Sequence, residues 1–320
     1  MATSTSAHIV AAARHVTIDD DAVRALAQEL MAAGGVTALQ QQQSGMGWSN
    51  CGWHYSADAA ASGPLTCQFV FVLDALNFCF WPTPGLEYEH LASGLARALE
   101  ADPRALSAAV LSAATPALLA SWAPGFALPQ MAERVSKVRE LGAVLGAHFG
   151  GLASNMVQAA GGSAVNLIRL ITALLPGFRD EAVYRGSQVF LYKRAQIVVA
   201  DLWAAYGCRG ADQLFGFRDM AELTMFADYR VPQVLAHAGA LVYAPALRQR
   251  IESLQELPAG GEEEVEIRAA TVQAVERVAE AMKALGAPLL SVELDWLLWH
   301  RGEASKDTIA PHHRTLSIFY

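Results

Sequence analysis

The chain has 320 residues, 53% of them hydrophobic and 17% charged, which excludes a disordered or linker-dominated protein and allows a large buried core. Acids outnumber bases 31 to 23, for a net charge of -8; a protein that grips a polyanionic backbone carries a basic surplus, so direct nucleic-acid binding is not expected. The most apolar run, Ala164 to Leu175, is crossed by Asn166, Arg169 and Thr172 and is too short to span a bilayer, so no membrane partner is expected.

Residues 1–17 show no charged leader followed by an apolar stretch and read as a flexible tail ahead of a single domain over 18–320. The first helix opens at Asp19-Asp20-Asp21, acids suited to a helix N-terminus, and carries Val23, Leu26, Ala27 and Leu30 on one face before Gly34-Gly35. A glutamine run, Gln40 to Gln43, leads through Ser44-Gly45-Met46-Gly47 into an irregular loop, Trp48 to His54, whose two tryptophans call for a surface to fold against. Helical periods follow at Glu87 to Leu99, Arg104 to Ala113, Gln130 to His148, Ala164 to Leu175, Phe190 to Tyr206, Pro232 to Tyr243, Glu263 to Leu285 and Pro288 to Trp299. Strand signals are confined to Ala182 to Phe190, broken by Gly186, and to Arg314 to Tyr320, which alternates at period two. The fold class is therefore mainly α, a single helical domain with a few short strands. Cys51, Cys67, Cys79 and Cys208 form no Cys-x-x-Cys pair, which fits a reducing, cytoplasmic setting.

Four segments concentrate chemistry. If Asp74 to Trp81 is helical, Asp74, Asn77, Phe78 and Trp81 share one face, a carboxylate, an amide and two aromatic planes suited to the edge and faces of a flat heterocycle. The same spacing also suits a core helix with one capping acid. In Tyr192 to Trp203, Lys193, Ile197 and Asp201 share a face, and a lysine at a helix start opposes the dipole unless an anion joins it; a surface salt-bridge helix is the alternative. In Leu223 to His237, Pro232 belongs to a first helical turn, so Asp228 approaches that helix in the apolar company of Met225, Phe226 and Tyr229, with Arg230 beside it. Gln233 and His237 then follow on one helical face, and an N-capping role for Asp228 remains open. In Val292 to Trp299, Asp295 and Trp299 share a face, a pattern an amphipathic core helix also produces. His312 and His313 point to opposite sides of an extended chain, and Cys51 with His54 lacks completing ligands, so no metal and no cofactor is assigned.

Taken together, DALNFCFW, YKRAQIVVADLW, LTMFADYRVPQVLAH, and VELDWLLW followed by PHHRTLSIFY resemble the queuosine salvage family, the queuosine 5′-phosphate N-glycosylase/hydrolases, in order from Trp48 to Tyr320. The resemblance implies a helical fold related to helix-hairpin-helix DNA glycosylases and hydrolysis of a modified nucleotide's N-glycosidic bond, with release of queuine. It implies that Asp228 is the catalytic carboxylate. By residue type, Asp74, Asn77, Phe78, Trp81 and Phe226 would surround the base, Asp201 or Asp295 would pair with the ammonium of its side arm, and Lys193, Arg230 and His237 would take the phosphate, with Gln233 for a sugar hydroxyl. A base glycosylase acting on DNA or RNA, or a non-catalytic nucleotide-binding module, are the alternatives.

Overall fold

The structure, a computed structural model, describes residues 2–34, 48, 51–55, 59–208 and 215–320, with backbone alone at 59–62. The glutamine run and Ser44 to Gly47 lie outside these residues. Fourteen α-helices occur among the described residues: α1 (Ala2–Ala12), α2 (Asp20–Ala32), α3 (Ala59–Ala75), α4 (Tyr88–Ala101), α5 (Ala108–Ser112), α6 (Pro116–Ser121), α7 (Met131–His148), α8 (Ala153–Ala159), α9 (Ala164–Leu174), α10 (Lys193–Ala205), α11 (Arg230–His237), α12 (Pro245–Glu252), α13 (Glu262–Ala284) and α14 (Ser291–Ser305). Four short strands accompany them, β1 (Val16–Ile18), β2 (Glu181–Tyr184), β3 (Ser187–Phe190) and β4 (Leu241–Tyr243). β1 pairs antiparallel with β4 and β2 with β3. The β2–β3 turn uses Arg185 and Gly186, both at positive φ, the twist that a two-residue hairpin turn requires.

The N-terminal residues are not a loose tail. They form α1 and β1, held by one carboxylate from α13: Glu266 is fully buried and accepts from the amides of Arg14, His15 and Val16 and from the Tyr184 hydroxyl. Ile9 is buried in the same place. A buried acid 250 residues away, matched to three consecutive amides, is a tertiary event that local composition does not announce.

Two hydrophobic clusters fill the molecule. One gathers α3 to α10 around Phe69, Leu73, Leu141, Leu167 and Val198. The other gathers α1, α2, α11, α13 and α14 around Ile9, Leu26, Val234, Val275 and Leu298. The chain crosses the seam twice within a few residues: Phe226 belongs to the first cluster and Met225 and Ala227 to the second, while on α14 Val292 belongs to the first and Leu294 to the second. The acids that follow these crossings, Asp228 and Asp295, consequently sit on the seam.

Three elements depart from the sequence expectation. The helix expected across Asp74 to Trp81 stops at Ala75, because two fully buried arginines take the carbonyls at its end and beyond it: Arg194 those of Asp74 and Ala75, Arg134 those of Leu76, Phe78 and Cys79. Cys79, at φ +53°, turns the chain away. The Pro232 to Tyr243 period divides into α11 and β4, and the chain between them passes through Gly239 at φ +77°. Arg314 to Tyr320 is not a strand. His313, Thr315 and Ser317 are buried in alternation, but the backbone partners are side chains and loops: Gln130 donates to the Ser317 carbonyl, Trp81 to that of Thr315, and the Cys79 amide to that of Tyr320.

Candidate active site

A cleft of about 400 Å³ opens on the seam. Its floor comes from the loop after α3 (Asn77, Phe78) and one face of α10 from Lys193 to Ala204; one wall is the Phe226 to Tyr229 loop, the other is α14 with Asp295, Trp296 and Trp299. Lys193, Ile197 and Asp201 all reach it, as their four-residue spacing on α10 requires. The volume falls within the range of small-molecule sites.

Asp228 lies in the bend that leads into α11. Its Oδ1 accepts from the amides of Arg230 at 2.9 Å and Val231 at 3.1 Å, so it caps the helix, while its other oxygen carries no hydrogen bond among the described residues and the side chain is partly exposed to the cleft. The capping reading and the catalytic reading are thus compatible: one oxygen anchors, the other is offered. Burial raises the Asp228 pKa from the ordinary aspartate value, and Lys193 opposes that rise ahead of the two capping amides. The segment before it is fixed at each residue, Phe226 by its amide to Asp295 Oδ1 (2.9 Å) and Ala227 by its carbonyl, which accepts from Arg268 Nε (2.8 Å).

Four carboxylates surround a single ammonium. Burial raises the pKa of Asp74, Asp201 and Asp295 as well, and pushes Lys193 below the usual lysine range against the pull of Asp228 and Asp74. Asp201, 7% exposed, has no hydrogen bond among the described residues. Asp74 lies fully buried under the floor, with Asn77 Nδ2 donating to its Oδ1 at 3.3 Å and its Oδ2 without a partner among the described residues. At the mouth, Glu87 and Glu303 both hold Lys306, at 2.6 and 2.8 Å.

A family model described as "Queuosine salvage protein" matches residues 54–320. The chain is 41% identical over 316 residues to the queuosine 5′-phosphate N-glycosylase/hydrolase of Dictyostelium discoideum, covering 99% of this chain and 97% of the relative. It is 42% identical to the protein of that name from Sphaerobacter thermophilus, with the same coverage, and 34% identical to that of Mus musculus, with 96% and 95% covered. The chain belongs to the queuosine salvage protein family.

The residues singled out in the sequence divide into two groups. Asn77, Phe78, Lys193, Asp201, Phe226, Asp228 and Asp295 line the cleft, and Asp74 lies beneath it. Trp81 does not: with the helix broken at Ala75 it turns away, donates to the Thr315 carbonyl and lies under the Arg314 guanidinium. Arg230 does not line the cleft: its Nε is paired with Glu303 at 2.6 Å and its Nη1 with the side-chain oxygen of Gln233 at 2.6 Å. Gln233 is occupied in turn, its amide donating to the Ala310 carbonyl. His237 is exposed at the last turn of α11, away from the cleft. Phe78 closes the floor at 1% exposure, its ring engaged by the guanidiniums of Arg134 and Arg194 at 4.4 and 5.0 Å.

The sequence reading missed an aromatic wall. Trp48 stacks on His54 with ring centroids 3.6 Å apart, and His54 Nε2 meets the Tyr88 hydroxyl at 2.8 Å. Burial holds His54 neutral, its pKa lowered to about 4. The two tryptophans of the irregular loop were the available signal; Tyr88, at the start of α4, had none. Tyr320, which also lines the cleft, was read only as the end of a strand. Among the described residues one group of potential metal ligands, His15, Glu262 and Glu266, lies within 4.8 Å, but Glu266 already serves three amides and a hydroxyl.

Proposed function

We propose that this protein hydrolyses the N-glycosidic bond of queuosine 5′-phosphate and releases queuine, with Asp228 as the catalytic carboxylate. The observation that carries the reading is the Asp228 geometry: an acid with one oxygen fixed by two helix amides and the other unbonded, on the wall of a cleft of nucleotide size. The relatives' printed names supply the substrate. An acid at the start of a short helix also supports kinship with helix-hairpin-helix DNA glycosylases.

Cleavage of a C1′–N bond builds positive charge on the ribose, and a fixed carboxylate below C1′ stabilises it while orienting or deprotonating the attacking water. Because Oδ1 is already bound to α11, Asp228 meets that charge without first reorganising. The leaving base, a 7-deazaguanine, has no N7 lone pair to protonate, so its departing charge must be relieved along its edge, where Asn77 stands in front of Asp74. Asp201 is the partner for the side arm's ammonium: Asp295 already spends an oxygen on the Phe226 amide, whereas Asp201 is buried with both oxygens unbonded among the described residues. Arg230, Gln233 and His237 do not line the cleft, whereas Lys193 does, and its ammonium is the partner for the phosphate. No metal or cofactor is required for this chemistry. Four cysteines stand as free thiols and no helix among the described residues is long and apolar enough to cross a membrane, both in keeping with a cytoplasmic protein. Glu87, Glu89 and Glu303 at the mouth, with the acidic net charge, favour a small-molecule substrate over a nucleic-acid strand.

The test is chromatographic detection of free base after incubation with the nucleoside and its 5′-monophosphate in parallel, for wild type and Asp228→Asn. Base release from the monophosphate is expected, with a loss of at least about 100-fold in the variant and retained ligand binding, since Asn preserves the helix cap. Undiminished turnover by Asp228→Asn would overturn the assignment, and equal rates on both substrates would remove the phosphate role of Lys193.

A further inference from the structure

Two residues that do not line the cleft connect the two segments whose relative placement the chemistry needs. Asp180 lies just before β2 and is 2% exposed. Its carboxylate takes both terminal nitrogens of Arg268, at 2.9 and 2.5 Å, and also accepts the amide of Lys193 at 3.0 Å. Its own carbonyl takes the amides of Leu191 and Tyr192, so the start of α10 is folded around this one residue. Arg268, on α13 and 3% exposed, directs its remaining nitrogen, Nε, to the carbonyl of Ala227, the residue before Asp228.

A buried ion pair is a poor source of net stability, because the desolvation of both charges offsets most of their attraction. It is a good source of direction, because a bidentate guanidinium–carboxylate contact fixes both planes at once. Here the fixed object is a path, from the Lys193 amide through Asp180 and Arg268 to the Ala227 carbonyl. The path bridges the chain segments that bear Lys193 and Asp228.

We propose that Asp180 and Arg268 are positioning residues for the hydrolysis, setting the separation between the Asp228 carboxylate and the Lys193 ammonium. The proposal rests on the catalytic reading of Asp228. Loosening either partner lets the start of α10 drift from the Asp228 loop. A misplacement on the order of 1 Å in a reacting constellation costs up to about 100-fold in rate. It also withdraws the cation that favours ionised Asp228, so the carboxylate becomes harder to ionise and activity is lost at a higher pH as the medium is acidified.

The experiment compares wild type, Asp180→Asn, Arg268→Lys and Glu264→Gln, measuring kcat and KM for base release from queuosine 5′-phosphate and the single-turnover rate against pH. Glu264 contacts the same guanidinium at 3.3 Å and accepts from the Tyr320 hydroxyl at the cleft, but touches neither Lys193 nor Ala227, so it controls for the loss of a buried charge and of that cleft contact while the Asp180–Arg268 path stays whole. Expected are a fall in kcat of about tenfold or more for Asp180→Asn and Arg268→Lys with KM within about threefold, and an acid limb moved to higher pH, while Glu264→Gln keeps the wild-type limb. Partial unfolding lowers the amplitude of the profile and leaves the limb where it is. A limb unmoved in both variants, or moved equally by Glu264→Gln, would overturn the proposal. A wild-type protein that releases no base would instead overturn the reading of Asp228.

Discussion

Asp201 carries an electrostatic cost that the folded protein has not relieved by any hydrogen bond among the described residues. Burial raises its pKa well above the ordinary aspartate value, and the nearby Asp74 adds to the rise. The folded state therefore binds a proton at Asp201 more readily than the unfolded state does. Stability is lost as pH rises from the unfolded value toward the folded one, and is regained on acidification. Asp201→Asn is expected to raise Tm by on the order of 2 °C at pH 8, with the gain shrinking as pH falls toward the unfolded aspartate value near 3.8, below which the carboxyl is protonated in both states. The same change should raise KM about tenfold, through loss of a charge-assisted bond. Thermal melts at the two pH values and a saturation curve check both effects; a lowered Tm with an unchanged KM would remove Asp201 from ligand binding. Such residue-scale roles were only partly legible in the sequence. The shared face of Asp201 and Lys193 was legible because a spacing of eight residues on one helix needs no tertiary information. Arg230 and Gln233 donate to Glu303 and to the Ala310 carbonyl, partners from 70 or more residues away that no local pattern announces.

At the scale of elements, the active-site wall depends on how closely α14 approaches α11. Gly302 makes that approach: a Cβ there would lie 2.7 Å from Arg230 Cγ, 2.8 Å from its Cδ and 2.9 Å from Val234 Cγ2. Because Arg230 supplies one of the two amides that Asp228 accepts from, pressure at Gly302 is transmitted to the bend that holds Asp228. Gly302→Ala is expected to cost about 1 to 3 kcal/mol by overpacking, a Tm decrease of several degrees, and to reduce base release beyond the change in folded fraction. A melt within about 1 °C of wild type would show that the helices part without strain. The break of α3 at Ala75 belongs to this scale too. Local pattern favoured continuing the helix, and two arginines from α7 and α10 decided otherwise by binding its terminal carbonyls.

For the whole molecule, the placement of the cleft between two hydrophobic clusters raises the question of whether they melt separately. Residues 225–227 and 292–294 alternate between the clusters, and Asp180, Arg268 and Lys193 join helices from both sides. Neither half keeps its surface satisfied without the other, so calorimetry and near-ultraviolet circular dichroism are expected to report one coincident transition. Two resolved transitions would mean that the seam parts first, and with it the active site.

The amino-acid sequence by itself determined the helical class, the strand signal over Ala182 to Phe190 broken at Gly186, the face shared by Lys193 and Asp201, and the presence of an acid at the approach to α11. These follow from periodicity, turn chemistry and helix-start rules, which act over a few residues. Only the tertiary structure decided that the N-terminal residues are bound by Glu266, that Trp81 leaves the site, that Arg230 is occupied, and that Trp48, His54 and Tyr88 build a wall. Each of those depends on a buried polar or aromatic group meeting a partner distant in the chain, and the need to satisfy such groups away from water selects the partner only once the core has formed.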